Sequence, residues 1–162
     1  MTNHWNDFKN SDCILIMGSN PASNHPGSFR WITAAMEAGG KLICVDPRFT
    51  QSAAKAHIYA PLRSGTDIAF LGGMIKYILD NKLIHEEYVK NYTNASYLVN
   101  HAFRMPGDNR GVFSGLAGGK YDKTTWSYQT DPDSLIKKDL SLKDPFCAFQ
   151  LLKKHYSRYT LA

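Results

Sequence analysis

The sequence is poor in cysteine and spaces what it has widely. Cys13, Cys44 and Cys147 stand alone, with no CxxC pair among 162 residues, so neither an iron–sulfur cluster nor a structural zinc site is signalled. Cys13 and Cys44 lie in or beside apolar runs and read as small core residues. No apolar run approaches the ~20 residues that cross a bilayer as a helix, and the opening MTNHWNDFKNSD is polar, unlike a secretory signal. The GxGxxG fingerprint is missing. His25, His57, His85, His101 and His155 show no metal-ligand spacing. No internal repeat occurs, and no helix-turn-helix or RNA-binding signature accompanies the scattered basic residues, so no nucleic-acid partner is expected.

What is present describes one globular α/β chain. Hydrophobic content of 43% and charged content of 20% are ordinary for a folded domain. The net charge of +5 suits an anionic ligand or an acidic partner. Cys13 to Met17 and Lys41 to Val45 are short continuous apolar runs, the pattern of strands buried on both faces. Between them, GSNPASNHPG (Gly18 to Gly27) reads as a loop, and Ser28 to Ala38 as a helix that Gly39-Gly40 stops. Thr50 to Ala56 reads as a helical turn and His57 to Leu62 as a weaker third strand. Thr66 to Asn81 is the clearest helix, with Ile68, Leu71, Ile75 and Ile78 on one face and Thr66 as its N-cap. This alternation predicts a Rossmann-like open parallel sheet with helices on both faces.

Beyond Asn81 the periodicity fades. His85 to Tyr92 reads as a short helix. Residues 100–143 read as an irregular segment with a hairpin, its candidate strands at Val112-Phe113 and Trp126-Ser-Tyr128. Asp144 to Arg158 reads as a closing helix with Pro145 in its first turn. The expected division is therefore a core over residues 1–99 and an extension over 100–162 that packs on something larger.

In such sheets ligands bind beyond the carboxyl ends of the strands. Three loops start there, at Gly18, Asp46 and Arg63. Gly18-Ser19-Asn20 stands where a phosphate-binding turn would stand, although a plain strand-to-helix connection reads the same way. Asp46 is placed as a ribose-binding acid, or as a turn-former before Pro47. Arg48 and Arg63 suit a pyrophosphate, or a solvated surface. Asp67 suits the edge of a guanine base, and equally the first turn of any helix. The residues alone thus describe a nucleotide edge with no acid, base or nucleophile of its own.

The segments MTNHW, MGSNPASNHP, VDPRFT, APLRSGTDIAFL, YTNAS, YDK-x-x-W-x-Y and LLKKHYSRYT closely resemble the catalytic (alpha) subunits of the molybdenum- or tungsten-dependent formate dehydrogenases, within the molybdopterin oxidoreductase superfamily. The resemblance implies a bis-molybdopterin guanine dinucleotide cofactor carrying Mo or W, used to oxidise formate to carbon dioxide. Gly18, Ser19 and Asn20 would approach its phosphates. Asp46 and Arg48 would contact the nucleotide, with Arg63 beside them, and Gly65 and Asp67 would frame the guanine. No catalytic residue and no metal ligand is expected in this chain.

The resemblance also implies what lies elsewhere. The family's [4Fe-4S] cysteines, its metal-binding cysteine or selenocysteine and its C-terminal domain have no counterpart in this sequence. The chain is accordingly expected to be an internal piece that works with the remainder of the alpha subunit and an iron–sulfur beta subunit, in the periplasm. If the parent carries selenocysteine, a UGA codon read as a stop would make Met1 the next start; an upstream sequence without an in-frame UGA before a histidine codon would exclude this. Two other readings stay open: a free-standing Rossmann-like nucleotide-binding module, and a fragment that binds neighbouring subunits through its basic, aromatic tail.

Overall fold

The computed structural model describes residues 2–160; Met1, the first residue of the MTNHW segment, lies outside them. Backbone contacts divide the chain into an N-terminal unit, Met1–Ile68, and a C-terminal unit, Ala69–Ala162.

The N-terminal unit is built on three parallel strands: β1 (Cys13–Met17), β2 (Lys41–Val45) and β3 (Ile58–Ala60), in the order β1-β2-β3. Pairing of Ile14 with Leu42 and of Ile16 with Cys44 and Tyr59 puts these side chains on one face. There Ile16, Leu42 and Cys44 form the core with Ile32 of α2 (Pro26–Glu37) and Ala53 of α3 (Gln51–Lys55). Phe29, Ile32 and Met36 recur at helical spacing, so one stripe of α2 meets the sheet. The opposite face carries the paired row Leu15, Ile43 and Ile58, of which Leu15 is 39% and Ile58 56% exposed.

Several expectations shift. The Gly18–Gly27 segment is not all loop: α1 (Pro21–Asn24) forms one helical turn, and α2 starts at Pro26. Both begin on proline, whose fixed φ and missing N–H suit a first helical position. Cys13 is exposed, because the strand's alternation turns it to the open face, while Cys44 is buried. The third strand keeps only three residues of the expected six. Residues 66–81 resolve as α4 (Asp67–Asp80). The Thr66 hydroxyl, expected to accept from the first turn as N-cap, donates to the Arg63 carbonyl oxygen at 2.6 Å.

In the C-terminal unit, α5 (Glu86–Tyr92) is capped by His85, whose ring accepts from the Tyr88 N–H at 3.1 Å. The YTNAS segment then acts as a hub. Thr93 accepts from the Ala95 N–H, Ser96 donates to the Lys90 carbonyl, and Asn94 donates to the Tyr128 hydroxyl. The Cys147 thiol donates to the Ala95 carbonyl at 2.8 Å and is fully buried. The hairpin is real but shifted: its strands are β4 (Leu116–Ala117) and β5 (Lys120–Tyr121), turning at Gly118-Gly119, not at the aromatic positions expected. Trp126 instead ends a 3-10 turn (Lys123–Trp126) that Asp122 caps, and its indole N–H donates to the Ser114 carbonyl at 2.9 Å. This accounts for YDK-x-x-W: the acid starts the turn and the indole pins it. The closing helix α6 runs only from Ala148 to Tyr156. Pro145 precedes it, because Asp144 folds the chain into a turn by accepting from the Phe146 N–H. Beyond α6, Tyr159 lies on Gly72 of α4, where any Cβ would collide with its ring.

Candidate functional site

The carboxyl edge of the parallel sheet gathers the three loops expected there. The first leaves β1 at Gly18, whose N–H donates to the Val45 carbonyl at 2.9 Å while its φ of +62° takes the chain away from the strand. A side chain is disfavoured in that conformation, and the space where one would project is open to 4 Å. Ser19 is exposed and lines a cavity of about 380 Å³ along β1, with Trp5, Leu15 and His25. Asn20 differs from expectation in what its side chain does. Its Oδ1 accepts from the Ser52 N–H (3.1 Å) and the Ser52 hydroxyl (2.9 Å), and its amide donates to Ser23 at 2.7 Å. Ser52 also accepts from the Ala22 N–H at 3.0 Å. Asn20 therefore fixes the loop against α3, and Ser52, which is fully buried, is its anchor. Sequence reasoning missed Ser52; a serine in a short helix carries no sign of a partner thirty residues away.

The second loop leaves β2 at Asp46, which is 8% exposed. Its Oδ1 accepts from the Arg48 N–H at 2.8 Å, so the turn-forming role is present. Its Oδ2 has no hydrogen-bond partner among the described residues, which leaves that oxygen for a ligand. Thr50 closes the loop by accepting from the Ala53 N–H as the N-cap of α3. Burial raises the pKa of the neighbouring Cys44 thiol; Thr50 opposes this by a hydrogen bond, and the Asp46 charge adds to it. The thiol thus stays protonated at neutral pH and is packing, not a nucleophile.

The third loop is the turn Arg63-Ser64-Gly65-Thr66. The Thr66 N–H donates to the Arg63 carbonyl at 3.1 Å and Gly65 has φ +85°, the type II pattern that requires glycine at the third position. Open space again surrounds the position a Gly65 side chain would take. Asp67 is the first residue of α4 and is exposed. Arg48 and Arg63 are exposed and make no ion pair among the described residues.

This edge offers two glycine turns with open space beside them, one acid with a free oxygen, a second exposed acid and two unpaired guanidinium groups. Such a set fits a phosphorylated nucleotide: fork donors for phosphate, a carboxylate for ribose hydroxyls, a carboxylate for a base edge. Among the described residues no three His, Cys, Asp or Glu side chains gather as metal ligands do.

The chain is 53% identical over 163 residues to the formate dehydrogenase subunit alpha of Megalodesulfovibrio gigas, covering 99% of this chain and 16% of that protein. It is 51% identical over 166 residues to the nitrate-inducible formate dehydrogenase major subunit of Escherichia coli K12, again covering 99% of this chain and 16% of that protein. Acetylene hydratase of Syntrophotalea acetylenica is 35% identical over 132 residues, 80% of this chain and 18% of that protein. The chain thus spans only 16% of the length of the first two relatives. The molybdopterin oxidoreductase family model matches residues 1–127. With the first two loops, the third loop and the YDK-x-x-W turn all inside that match, the chain belongs to the molybdopterin oxidoreductase family.

Proposed function

We propose that this chain is the part of a formate dehydrogenase catalytic subunit that grips one molybdopterin guanine dinucleotide of its molybdenum or tungsten cofactor. The observation that carries the reading is the sheet edge itself, where the Gly18 and Gly65 turns, Asp46 with one unengaged oxygen, and the exposed Arg48, Arg63 and Asp67 lie in the three loops at the carboxyl ends of the strands. Formate dehydrogenase is favoured over other family activities by degree of similarity: the Megalodesulfovibrio gigas and Escherichia coli subunits are 53% and 51% identical over 99% of the chain, whereas acetylene hydratase is 35% identical over 80%.

When bound, the cofactor supplies the redox centre that takes electrons from formate. The residues here bind and orient. The turn at Gly18 and Ser19 lets backbone approach a phosphate, and Asn20 holds that turn rigid through Ser52. Arg48 and Arg63 neutralise pyrophosphate charge. Asp46 Oδ2 accepts from a ribose hydroxyl. The Gly65 turn aims Asp67 at the edge of guanine, where a carboxylate accepts two N–H bonds that adenine does not offer. The remainder of the subunit supplies the metal ligand, an iron–sulfur beta subunit accepts the electrons, and the assembly works in the periplasm.

Calorimetric titration of the purified chain with GDP and ADP tests the site. GDP is expected to bind at least tenfold more tightly, since a paired charged hydrogen bond contributes about 1.5–3 kcal/mol, and Asp67→Asn is expected to abolish the preference. Equal binding of the two by the wild-type chain would remove the role given to Asp67. No binding of either would remove the nucleotide reading.

A further inference from the structure

Among the large apolar side chains that stand in water at the same edge, Phe49 is the aromatic one. Phe49 is 64% exposed, in the second loop between Asp46 and the cap Thr50. Its ring is nevertheless fixed. It meets Tyr59 edge to face, with centroids 5.1 Å apart and planes at 79°. Tyr59 is partly buried against the core, and its hydroxyl donates to the Asp46 carbonyl at 2.9 Å. The backbone on both sides of Phe49 is pinned, by Arg48 N–H to Asp46 and by Ala53 N–H to Thr50.

The direction of this ring carries the inference. Tyr59 belongs to β3, the strand that feeds the Arg63–Thr66 turn. Phe49 is therefore propped against β3, the strand whose carboxyl end runs on into the turn of Gly65 and the helix start at Asp67. A core role would bury the ring, and hydrogen bonding is not available to it. The other groups at the edge are polar and meet a nucleotide at its phosphates, its ribose and the rim of its base. None of them covers the flat face of the base. Aromatic side chains do so elsewhere, and the contact is tolerant of base identity because every base has a π-face.

We propose that Phe49 is the stacking platform for the base, setting its plane so that Asp67 meets its edge. This rests on the nucleotide reading above and adds a binding residue to it. The two side chains divide the work: Phe49 contributes affinity for any base, and Asp67 contributes the choice of guanine.

Calorimetric titrations of the 162-residue chain with GDP, ADP and inorganic pyrophosphate separate these roles. Phe49→Leu is expected to weaken GDP and ADP by a similar factor, about tenfold on the usual worth of base stacking. It should leave pyrophosphate binding and the GDP-to-ADP ratio unchanged. Phe49→Trp is expected to keep GDP affinity and to show indole emission quenched by GDP but not by pyrophosphate. GDP affinity unchanged in Phe49→Leu overturns the proposal while leaving the site intact. If Phe49→Leu loses pyrophosphate as well, the loop has collapsed and the tryptophan variant decides: quenching by GDP supports the platform, and its absence overturns it. A wild-type chain that binds neither GDP nor pyrophosphate overturns the site reading and this proposal together.

Discussion

Asp139 shows how one carboxylate can organise a stretch with no regular structure. Its Oδ1 accepts from the N–H and hydroxyl of Ser141, and its Oδ2 from the N–H groups of Lys143 and Asp144. The Ser141 hydroxyl, followed by the Asp144 N–H, holds the carboxyl down at about 2. A carboxyl in the unfolded chain titrates near ~3.9. The folded value lies below the unfolded one, so its stabilisation is complete above about pH 4 and is lost as pH falls from there toward 2. Thermal melts of wild type and Asp139→Asn should therefore differ most at pH 5, by roughly three times the gap that remains at pH 2.5. A gap of the same size at both pH values would show that the charge contributes nothing. Sequence made some single residues legible and not others. Gly18 and Gly65 announced turns, since glycine at a strand end or before a helix has few other uses. That Asn20 also clamps its loop was not legible, because its partner Ser52 is distant in sequence. Phe49 carried no signal at all, since an aromatic after DPR reads as core until its exposure is known.

At the scale of elements, continuous apolar runs gave β1 and β2 their observed bounds, although only one of the two alternating faces of β1 is covered. The short pieces were less legible. α1 is four residues long, too short to hold itself by local hydrogen bonding. It is held instead by the Asn20–Ser52–Ala22 network to α3, a contact across thirty residues that periodicity does not report. The shifted hairpin has the same cause: aromatic residues suggested strands, but Trp126 found a carbonyl partner in Ser114 and the glycines took the turn. The dependence of α1 on Ser52 is measurable. Ser52→Ala removes a buried hydroxyl that donates once and accepts once. It leaves the Ala22 N–H without its partner, a loss of about 1–3 kcal/mol. Urea denaturation should show a lower midpoint with an unchanged slope. The GDP titration should weaken too, since Asn20 would keep only the residue-52 N–H as its anchor for the first loop. Full stability in Ser52→Ala would mean that α1 stands without the network.

For the whole molecule, the unanswered surface is the second face of the sheet. Strand register lines up Leu15, Ile43 and Ile58 across all three strands. The helices of the N-terminal unit that share the core, α2 and α3, pack on the other face, that of Leu42 and Cys44. The apolar runs that predicted burial on both sides were thus legible, but the material that covers the second side was not, because it is not encoded in these strands. A parallel sheet with one apolar face in water is unusual, since such sheets are normally covered on both sides. The formate dehydrogenase relatives are far longer than this chain, which spans 16% of the first two. The isolated chain should then satisfy this face by self-association. Sedimentation velocity at tens of micromolar is expected to show reversible oligomers. Leu15→Lys combined with Ile58→Lys should shift them to monomer, because both lysines would point from the open face while the core on the opposite face stays untouched. GDP binding by Ile58→Lys alone should match that of wild type, since Ile58 lies outside the three loops and outside the cavity that Ser19 lines. A wild-type chain that sediments as a monomer and binds no hydrophobic dye would mean that this face is tolerated in water and needs no cover.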